Sequence, residues 1–203
     1  MPSKLSEFRF LLLMDKIKLI IFDFDGTLGD TRRNIVTTMQ MTIAEHQLPY
    51  RHEDECASVI GNENLKKIQP QAFPGVVDTL AELHQKGIVL TIASSRSRNS
   101  LTELTHNMGI ADYISLLLGA DDVKEAKPKP EPVLKTLETM HFDASETLVV
   151  GDMVVDIMMG ANAGAKTCGV TWGNGTEEEL EEARPEFIID RIEDLLKIVN
   201  YRI

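Results

Sequence analysis

The chain has 203 residues, of which 43% are hydrophobic and 26% are charged, as in an ordinary globular protein that buries its own core. Its formal net charge of -11 disfavours binding to nucleic acid or to an anionic membrane. The two cysteines, Cys56 and Cys168, lack metal-ligand spacing, which favours a reduced, cytoplasmic protein. The apolar run 10–14 is too short to span a bilayer, so residues 1–13 are interpreted as a loose extension or a misassigned start.

The first predicted element is a buried strand that ends in two aspartates. Residues 19–22 are all apolar, which is typical of a strand covered on both faces of a parallel sheet. Asp23 and Asp25 follow at its carboxyl end, where open α/β sheets bind ligands. Two carboxylates this close repel each other unless a cation lies between them or one keeps its proton, and hard oxygen ligands suit Mg2+. The alternative is a strand followed by a solvated acidic turn.

The segment 30–74 is predicted to be a small helical insertion. A turn over 28–31 leads into a helix over 32–47 whose apolar residues share one face, and a shorter helix covers 53–60. No strand pattern follows before Phe73-Pro74-Gly75, a run typical of a turn. We therefore predict a core over 1–29 and 75–203 and a helical cap over 30–74.

Strands and helices alternate from residue 76 onward. Helices are predicted over 76–86, 100–108, 127–140, 154–163 and 193–199. Strands are predicted over 88–93, 113–118, 147–150, 166–170 and 187–189. This alternation predicts an α/β fold in which helices cover both faces of a parallel sheet.

Polar residues that could carry chemistry lie near the carboxyl ends of the predicted strands. Each has a structural alternative, since serines cap helices, a lysine before a proline is often solvated, and an aspartate can cap a helix. The candidates are Asp23 and Asp25 after the first strand, Ser94 and Ser95 after the second, Lys127 between the third and fourth, and Asp152 with Asp156 after the fourth.

The spacing of these residues favours a shared site. Asp152 and Asp156 lie four residues apart, so they face the same side at the start of a helix. A sheet wound in both directions brings its first and fourth strands together, so that Asp23, Asp25 and Asp152 converge. Three carboxylates around one metal, with a serine and a lysine nearby, form a site for a phosphoryl group that a carboxylate attacks.

Four motifs occur in the order found in one protein family, and two further matches accompany them. The four are Asp23-Phe24-Asp25-Gly26-Thr27, the strand that ends at Ser94, Lys127-Pro128-Lys129-Pro130 and Gly151-Asp152-Met153-Val154-Val155-Asp156, and the further matches are Phe73-Pro74-Gly75-Val76 and Gly169-Val170-Thr171-Trp172-Gly173-Asn174-Gly175. From residue 17 onward the chain thus resembles the haloacid dehalogenase superfamily, on its phosphoglycolate phosphatase and β-phosphoglucomutase branch. The resemblance implies a Rossmann-like, doubly wound sheet with core strand order 3-2-1-4-5 and a Mg2+ ion.

The resemblance also implies a role for each candidate residue. Asp23 is expected to be the nucleophile that becomes an aspartyl phosphate, and Asp25 to protonate the leaving oxygen and then deprotonate water. Family members that cleave halides or phosphonates lack an acid at the Asp25 position, which favours a phosphate ester as substrate. The residues expected to bind phosphate are Ser94, Ser95 and Lys127, and Lys127 is also expected to counter the charge on Asp23. Those expected to hold Mg2+ are Asp23, Asp25 through its backbone carbonyl, and Asp152, with Asp156 orienting water or Asp152.

The predicted cap departs from the family pattern, which is usually a four-helix bundle at this point. Here the segment has one long helix and one or two short ones, and its second half is cut down. Its basic residues either meet an anionic substrate group or form a solvated helix face, and the solvated face is the commoner case. They are Arg32, Arg33, Arg51 and Lys66.

The expected function is a Mg2+-dependent phosphatase of small phosphorylated metabolites, acting as a monomer or homodimer without nucleic-acid or membrane partners. Phosphoglycolate, sugar phosphates and nucleoside monophosphates all remain open as substrates. One alternative is a phosphomutase of the same branch acting on a sugar phosphate, although the shortened cap counts against it because a mutase must exclude water. A second alternative is a non-catalytic phospho-ligand-binding protein, which the intact set of candidate residues disfavours.

Overall fold

The computed structural model describes residues 17–31 and 70–199, together with the isolated positions 36, 40, 43, 44 and 49. The predicted N-terminal extension, the four basic residues of the cap and Cys56 lie outside the described residues. So do the predicted helix over 53–60 and most of the predicted helix over 32–47.

A six-stranded parallel sheet forms the centre of the molecule. Its strands are β1 (Leu19–Phe22), β2 (Val89–Ala93), β3 (Ile114–Leu118), β4 (Thr147–Gly151), β5 (Lys166–Val170) and β6 (Phe187–Ile189). They lie in the order β3-β2-β1-β4-β5-β6, so the chain starts in the middle and winds outward in both directions. The predicted fold class and core order 3-2-1-4-5 are confirmed, and β6 extends the sheet at its edge.

Helices connect the strands and cover the sheet. They are α1 (Val76–Gln85), α2 (Arg98–Asn107), α3 (Glu131–Met140), α4 (Val154–Asn162), α5 (Glu177–Ala183) and α6 (Leu195–Val199), with short 3-10 turns at Ala111–Tyr113, Ala120–Asp122, Ala144–Glu146 and Ile192–Asp194. Within the described ranges, no helix is both long and apolar enough to span a membrane.

The buried side chains of β1 alternate between two apolar clusters, one on each side of the sheet. Ile20 and Phe22 belong to the larger cluster, which includes residues from α1, α2 and α6. Leu19 and Ile21 belong to the smaller cluster, to which α3 and α4 contribute. Each such side chain contributes about 1.5–3 kcal/mol by leaving water. Because both faces of β1 are covered, its carboxyl end is held rigidly at the middle of the sheet.

Two local predictions were wrong, and one helix was not predicted. The predicted turn over 28–31 contains a short strand, Gly29–Asp30, which pairs antiparallel with Gln71–Ala72, although no strand was predicted over 30–74. The helix predicted from residue 127 begins only at Glu131, because Lys127 and Lys129 each precede a proline, which disfavours the helical conformation at those two residues. Helix α5 was not predicted, although Thr176 begins it with a capping box.

Candidate active site

The two central strands place their terminal aspartates side by side. Strand β1 pairs with β4, with Phe22 opposite Val150. The next backbone amide, that of Asp23, donates to the carbonyl of Val150 at 2.8 Å and continues the ladder. Asp23 is only 8% exposed, and Asp152, which directly follows β4, is fully buried. The predicted convergence of these two carboxylates therefore follows from the pairing of β1 with β4.

Lys127 lies between two of the buried carboxylates. Its Nζ donates to Oδ1 of Asp23 at 2.5 Å and to Oδ1 of Asp156 at 2.7 Å. The second oxygen of Asp156 accepts from the backbone amide of Met153 at 3.1 Å, at the start of α4. Asp156 thus fixes the lysine, and the lysine in turn orients Asp23.

Asp152 is enclosed by hydrogen-bond donors and by close-packed backbone. Its Oδ1 accepts from Oγ1 of Thr27 at 3.1 Å, and its Oδ2 accepts from the backbone amide of Asn174 at 2.7 Å and from Nδ2 of Asn174 at 3.1 Å. A Cβ at Gly26, whose φ is +84°, would lie 2.2 Å from Oδ2 of Asp152. A Cβ at Gly173 would lie equally close to the Cβ of Asp152. Only glycine allows the backbone to approach this carboxylate so closely.

Three carboxylates of the site are arranged to hold a cation. One ligand atom from each of Asp23, Asp152 and Asp156 lies within 4.8 Å of the others, and all three residues are buried. Oxygen donors of this kind suit hard divalent cations. The side chain of Asp25 lies outside this cluster; its backbone carbonyl is the group that we expect to bind the metal.

Electrostatics supports the same interpretation. Burial raises the pKa of Asp23 well above its usual range, and the charge of Lys127 offsets part of that rise. Burial likewise raises the pKa of Asp152. Burial alone would lower the pKa of Lys127, but Asp156 and Asp23 outweigh that effect and raise it. The site therefore carries more negative charge than one lysine balances, and a divalent cation would relieve the excess.

Asp25 is held by an arginine that follows β2. Nε of Arg96 donates to both carboxylate oxygens of Asp25, at 2.9 and 2.7 Å, and Nη2 donates to Oδ1 at 2.7 Å. The backbone amide of Arg96 donates to Oγ of Ser94 at 3.3 Å, and its guanidinium carbon lies 5.9 Å from the centre of the Phe24 ring. This bidentate ion pair between Arg96 and Asp25 joins the end of β1 to the end of β2.

The predicted site residues fall into three groups in the structure. Asp23, Lys127, Asp152 and Asp156 form one buried cluster, and Ser94 and Asp25 are joined through Arg96. Ser95 is exposed and makes no side-chain hydrogen bond to any other predicted site residue in the described ranges. Sequence reasoning assigned no role to Thr27, Arg96 or Asn174. Thr27 and Asn174 do lie within the quoted motifs, and Arg96 lies two residues after Ser94.

Comparison with known proteins identifies the class to which this fold and site belong. Residues 20–70 and 62–170 match the model of the haloacid dehalogenase-like hydrolases, and the chain belongs to this family. The probable phosphatase IndB of Dickeya dadantii is 32% identical, over 88% of this chain and 91% of that protein. The pyrophosphatase PpaX of Oceanobacillus iheyensis is 31% identical, over 91% of this chain and 97% of that protein.

The structural comparison agrees. The crystal structure of a predicted phosphoglycolate phosphatase from Haemophilus somnus shares the fold with a TM-score of 0.81 at 22% identity, over 92% of this chain and 100% of that one. Curated phosphoglycolate phosphatases are also among the relatives. The protein is therefore a phosphoric monoester hydrolase of the phosphoglycolate phosphatase-like branch. The non-catalytic alternative is set aside.

Proposed function

We propose that the protein is a Mg2+-dependent phosphatase that hydrolyses small phosphate monoesters through an aspartyl phosphate on Asp23. The main support is the contact of Lys127 with Asp23 inside a buried cluster that also holds Asp152 and Asp156. A carboxylate that is oriented by a lysine and surrounded by further carboxylates is arranged for attack on phosphorus rather than for packing.

Asp23 has one oxygen available for attack. Its Oδ1 accepts from Lys127, whereas its Oδ2 has no hydrogen bond to any described residue. In the proposed first step Oδ2 attacks phosphorus, the ester bond to the leaving oxygen breaks, and Asp25 supplies the proton that this oxygen needs. In the second step water attacks the aspartyl phosphate, Asp25 takes its proton, and the bond between phosphorus and Asp23 breaks to release phosphate.

The surrounding groups stabilise the charge of the transferred phosphoryl. Lys127 and the hydroxyl of Ser94 are proposed to contact its oxygens as it moves toward Asp23. Mg2+, held by Asp23, Asp152 and the backbone carbonyl of Asp25, would neutralise those oxygens further. Thr27 and Asn174 orient Asp152 for this purpose through their hydrogen bonds.

We propose that the segment 30–74 is a short cap inserted into the core, and one strand pairing supports the insertion. The strand Gly29–Asp30 pairs with Gln71–Ala72, so the chain leaves and re-enters the core at one place. A short cap leaves water access to the aspartyl phosphate, which favours a phosphatase over a phosphomutase. Cytoplasmic location and a monomer or homodimer stay predictions.

The test combines turnover with trapping of the intermediate. Phosphate release from an aryl phosphate should require Mg2+, stop with chelator, and fall by about ten-thousandfold or more in Asp23→Asn. Rapid acid quench should show phosphate bound covalently to Asp23 by mass spectrometry. Asp112→Asn, a substitution of an exposed aspartate, is the control and should be fully active. Wild-type turnover in Asp23→Asn would refute the nucleophile, and sugar-phosphate isomerisation without free phosphate would establish the mutase.

A further inference from the structure

The loop that carries Lys127 has little backbone support of its own. It covers residues 123–130, immediately before α3, and this stretch contains no strand. Two prolines within it have no N–H to donate. Its one backbone hydrogen bond with both partners inside 123–130 runs from the amide of Lys129 to the carbonyl of Ala126, at 3.0 Å. Such a loop is held in one conformation mainly by the side chains that contact it.

The first residue of α3 anchors the start of this loop. Oε1 of Glu131 accepts from the backbone amide of Lys124 at 2.9 Å, and Oε2 accepts from that of Glu125 at 2.7 Å. These hydrogen bonds lower the pKa of Glu131, so its carboxylate is charged at neutral pH. Hydrogen bonds to a charged acceptor are stronger than those to a neutral one. Glu131 thus bridges the two ends of the loop, and Lys127 lies between them.

The second anchor is on α4. Nδ2 of Asn162, the last residue of that helix, donates to the carbonyl of Pro128 at 3.0 Å. Near the start of the same helix, Asp156 accepts from Nζ of Lys127. Helix α4 therefore contacts both the backbone next to Lys127 and the far end of its side chain. Because Asp156 and Asn162 are about 9 Å apart along one helix, α4 sets the span over which Lys127 extends.

We propose that Glu131 and Asn162 are positioning residues, which hold the loop 123–130 so that Nζ of Lys127 lies against Asp23. In the described ranges neither side chain hydrogen-bonds to the buried cluster, so both act through the loop. The inference rests on the proposed function, in which Lys127 orients Asp23 and stabilises the transferred phosphoryl. A misplacement of about 1 Å in such a group can lower turnover about a hundredfold.

The alternative is a purely structural role for Glu131, because a carboxylate in the first turn stabilises a helix. The two roles differ in what happens when Lys127 is already absent. If Glu131 acts through Lys127, its replacement costs no further activity in a Lys127→Met background. If it acts on the fold in general, the same loss occurs with and without Lys127.

The experiment measures kcat for phosphate release from an aryl phosphate at saturating Mg2+, with Asp23→Asn as the blank. The variants are Glu131→Ala, Glu131→Gln and Asn162→Ala, each made in wild type and in Lys127→Met. In wild type we expect Glu131→Ala to lower kcat by about tenfold to a hundredfold, and Asn162→Ala by about threefold or more. Glu131→Gln keeps one acceptor oxygen and should lose less than Glu131→Ala. In Lys127→Met none of the three should lower kcat further.

Glu186→Gln is the matched control. Oε2 of Glu186 accepts from the backbone amide of Thr167 at 2.7 Å, near the amino end of β5 and thus at the end of the sheet opposite the site. This variant should keep the turnover of wild type. Hydrogen exchange gives a readout independent of activity, because the amides of Lys124 and Glu125 should exchange about tenfold faster or more in Glu131→Ala than in wild type or Glu186→Gln.

Unchanged kcat or unchanged exchange in Glu131→Ala would overturn the inference, as would an equal loss of kcat with and without Lys127. If Glu131→Ala fails to fold, Glu131→Gln and Asn162→Ala decide the same question. A Lys127→Met variant as active as wild type would contradict the role of Lys127 in the proposed function, and the inference with it.

Discussion

At the scale of single residues, the site is built from charges that burial makes costly. Asp23, Asp152 and Asp156 lie within a few ångströms of one another, and Lys127 forms ion pairs with Asp23 and Asp156. Such an arrangement lowers stability unless a further cation binds, and this is a cost that functional sites commonly carry. The same excess of negative charge is what would attract a divalent metal.

The raised pKa of Asp23 leads to a prediction about stability and pH in metal-free protein. Burial is the main reason that the pKa of Asp23 is higher in the folded than in the unfolded protein. The protonated form of Asp23 therefore contributes stability at low pH, and this contribution is lost as pH rises through the folded pKa. At neutral pH, with chelator, Asp23→Asn should therefore raise the free energy of unfolding relative to wild type. The advantage should shrink as pH falls through that same window. Urea denaturation of both proteins across the pH range measures it.

Added Mg2+ provides the internal control for this prediction. Wild type should gain stability with metal by mass action, while Asp23→Asn, which has lost one carboxylate ligand, should gain less. An Asp23→Asn variant that is less stable than wild type at neutral pH in chelator would show that the Lys127 contact outweighs the burial of the charge.

At the scale of elements, the turn after β5 is packed against the end of β4 at which we propose that the metal binds. It runs from Thr171 to Gly175 and supplies both donors of Asn174 to Asp152. The same turn is joined to the loop after β1, because Nε1 of Trp172 donates to the carbonyl of Thr27 at 3.1 Å. Two loops distant in sequence thus support one carboxylate.

Gly173 is the position at which this support should be most sensitive. An added Cβ would lie 2.2 Å from the Cβ of Asp152, so Gly173→Ala must displace the turn or the carboxylate. We expect the Mg2+ concentration for half-maximal activity to rise by about tenfold or more, as is usual when a ligand loses its supporting partners. Gly87→Ala is the control. Gly87 has a positive φ, and a Cβ added there would meet open space. This substitution should therefore lower stability and leave the metal dependence unchanged. Equal Mg2+ dependence in Gly173→Ala and wild type would contradict this role of the turn.

At the scale of the whole molecule, we propose that the six-stranded α/β core carries a short cap. A short cap should close less completely over the substrate, so the enzyme should discriminate less strongly among substrates. Among several unrelated phosphate esters, we expect kcat/KM values within about tenfold of each other, a spread of roughly 1.4 kcal/mol. Steady-state kinetics over such a panel, with light scattering for size, measures this.

A second subunit could complete the pocket instead. In that case selectivity would be high and activity would depend on protein concentration as the dimer dissociates. A monomer that prefers one of these esters by several orders of magnitude would contradict the short-cap prediction.

The amino-acid sequence by itself determined the elements whose cause is local. The apolar run of β1, the aspartates after it and the alternation of strands and helices were all readable, and the strand order implied by the family resemblance is confirmed. Helix α5 was not predicted because its sequence pattern is weak. Leu180 is its one buried residue, so its sequence shows almost no helical repeat of apolar residues.

Only the tertiary structure decided the other partners of the site residues. Thr27 meets Asp152 across 125 positions and Arg96 meets Asp25 across 71, whereas the contact of Lys127 with Asp23 across 104 positions was implied by the family resemblance. No periodicity or spacing links residues this far apart, because they are brought together by the pairing of β1 with β2 and β4 and by the packing of the loops that follow. The physical reason is that strand ends, fixed by a core buried on both faces, set the distances on which the hydrogen bonds and ion pairs of the site depend.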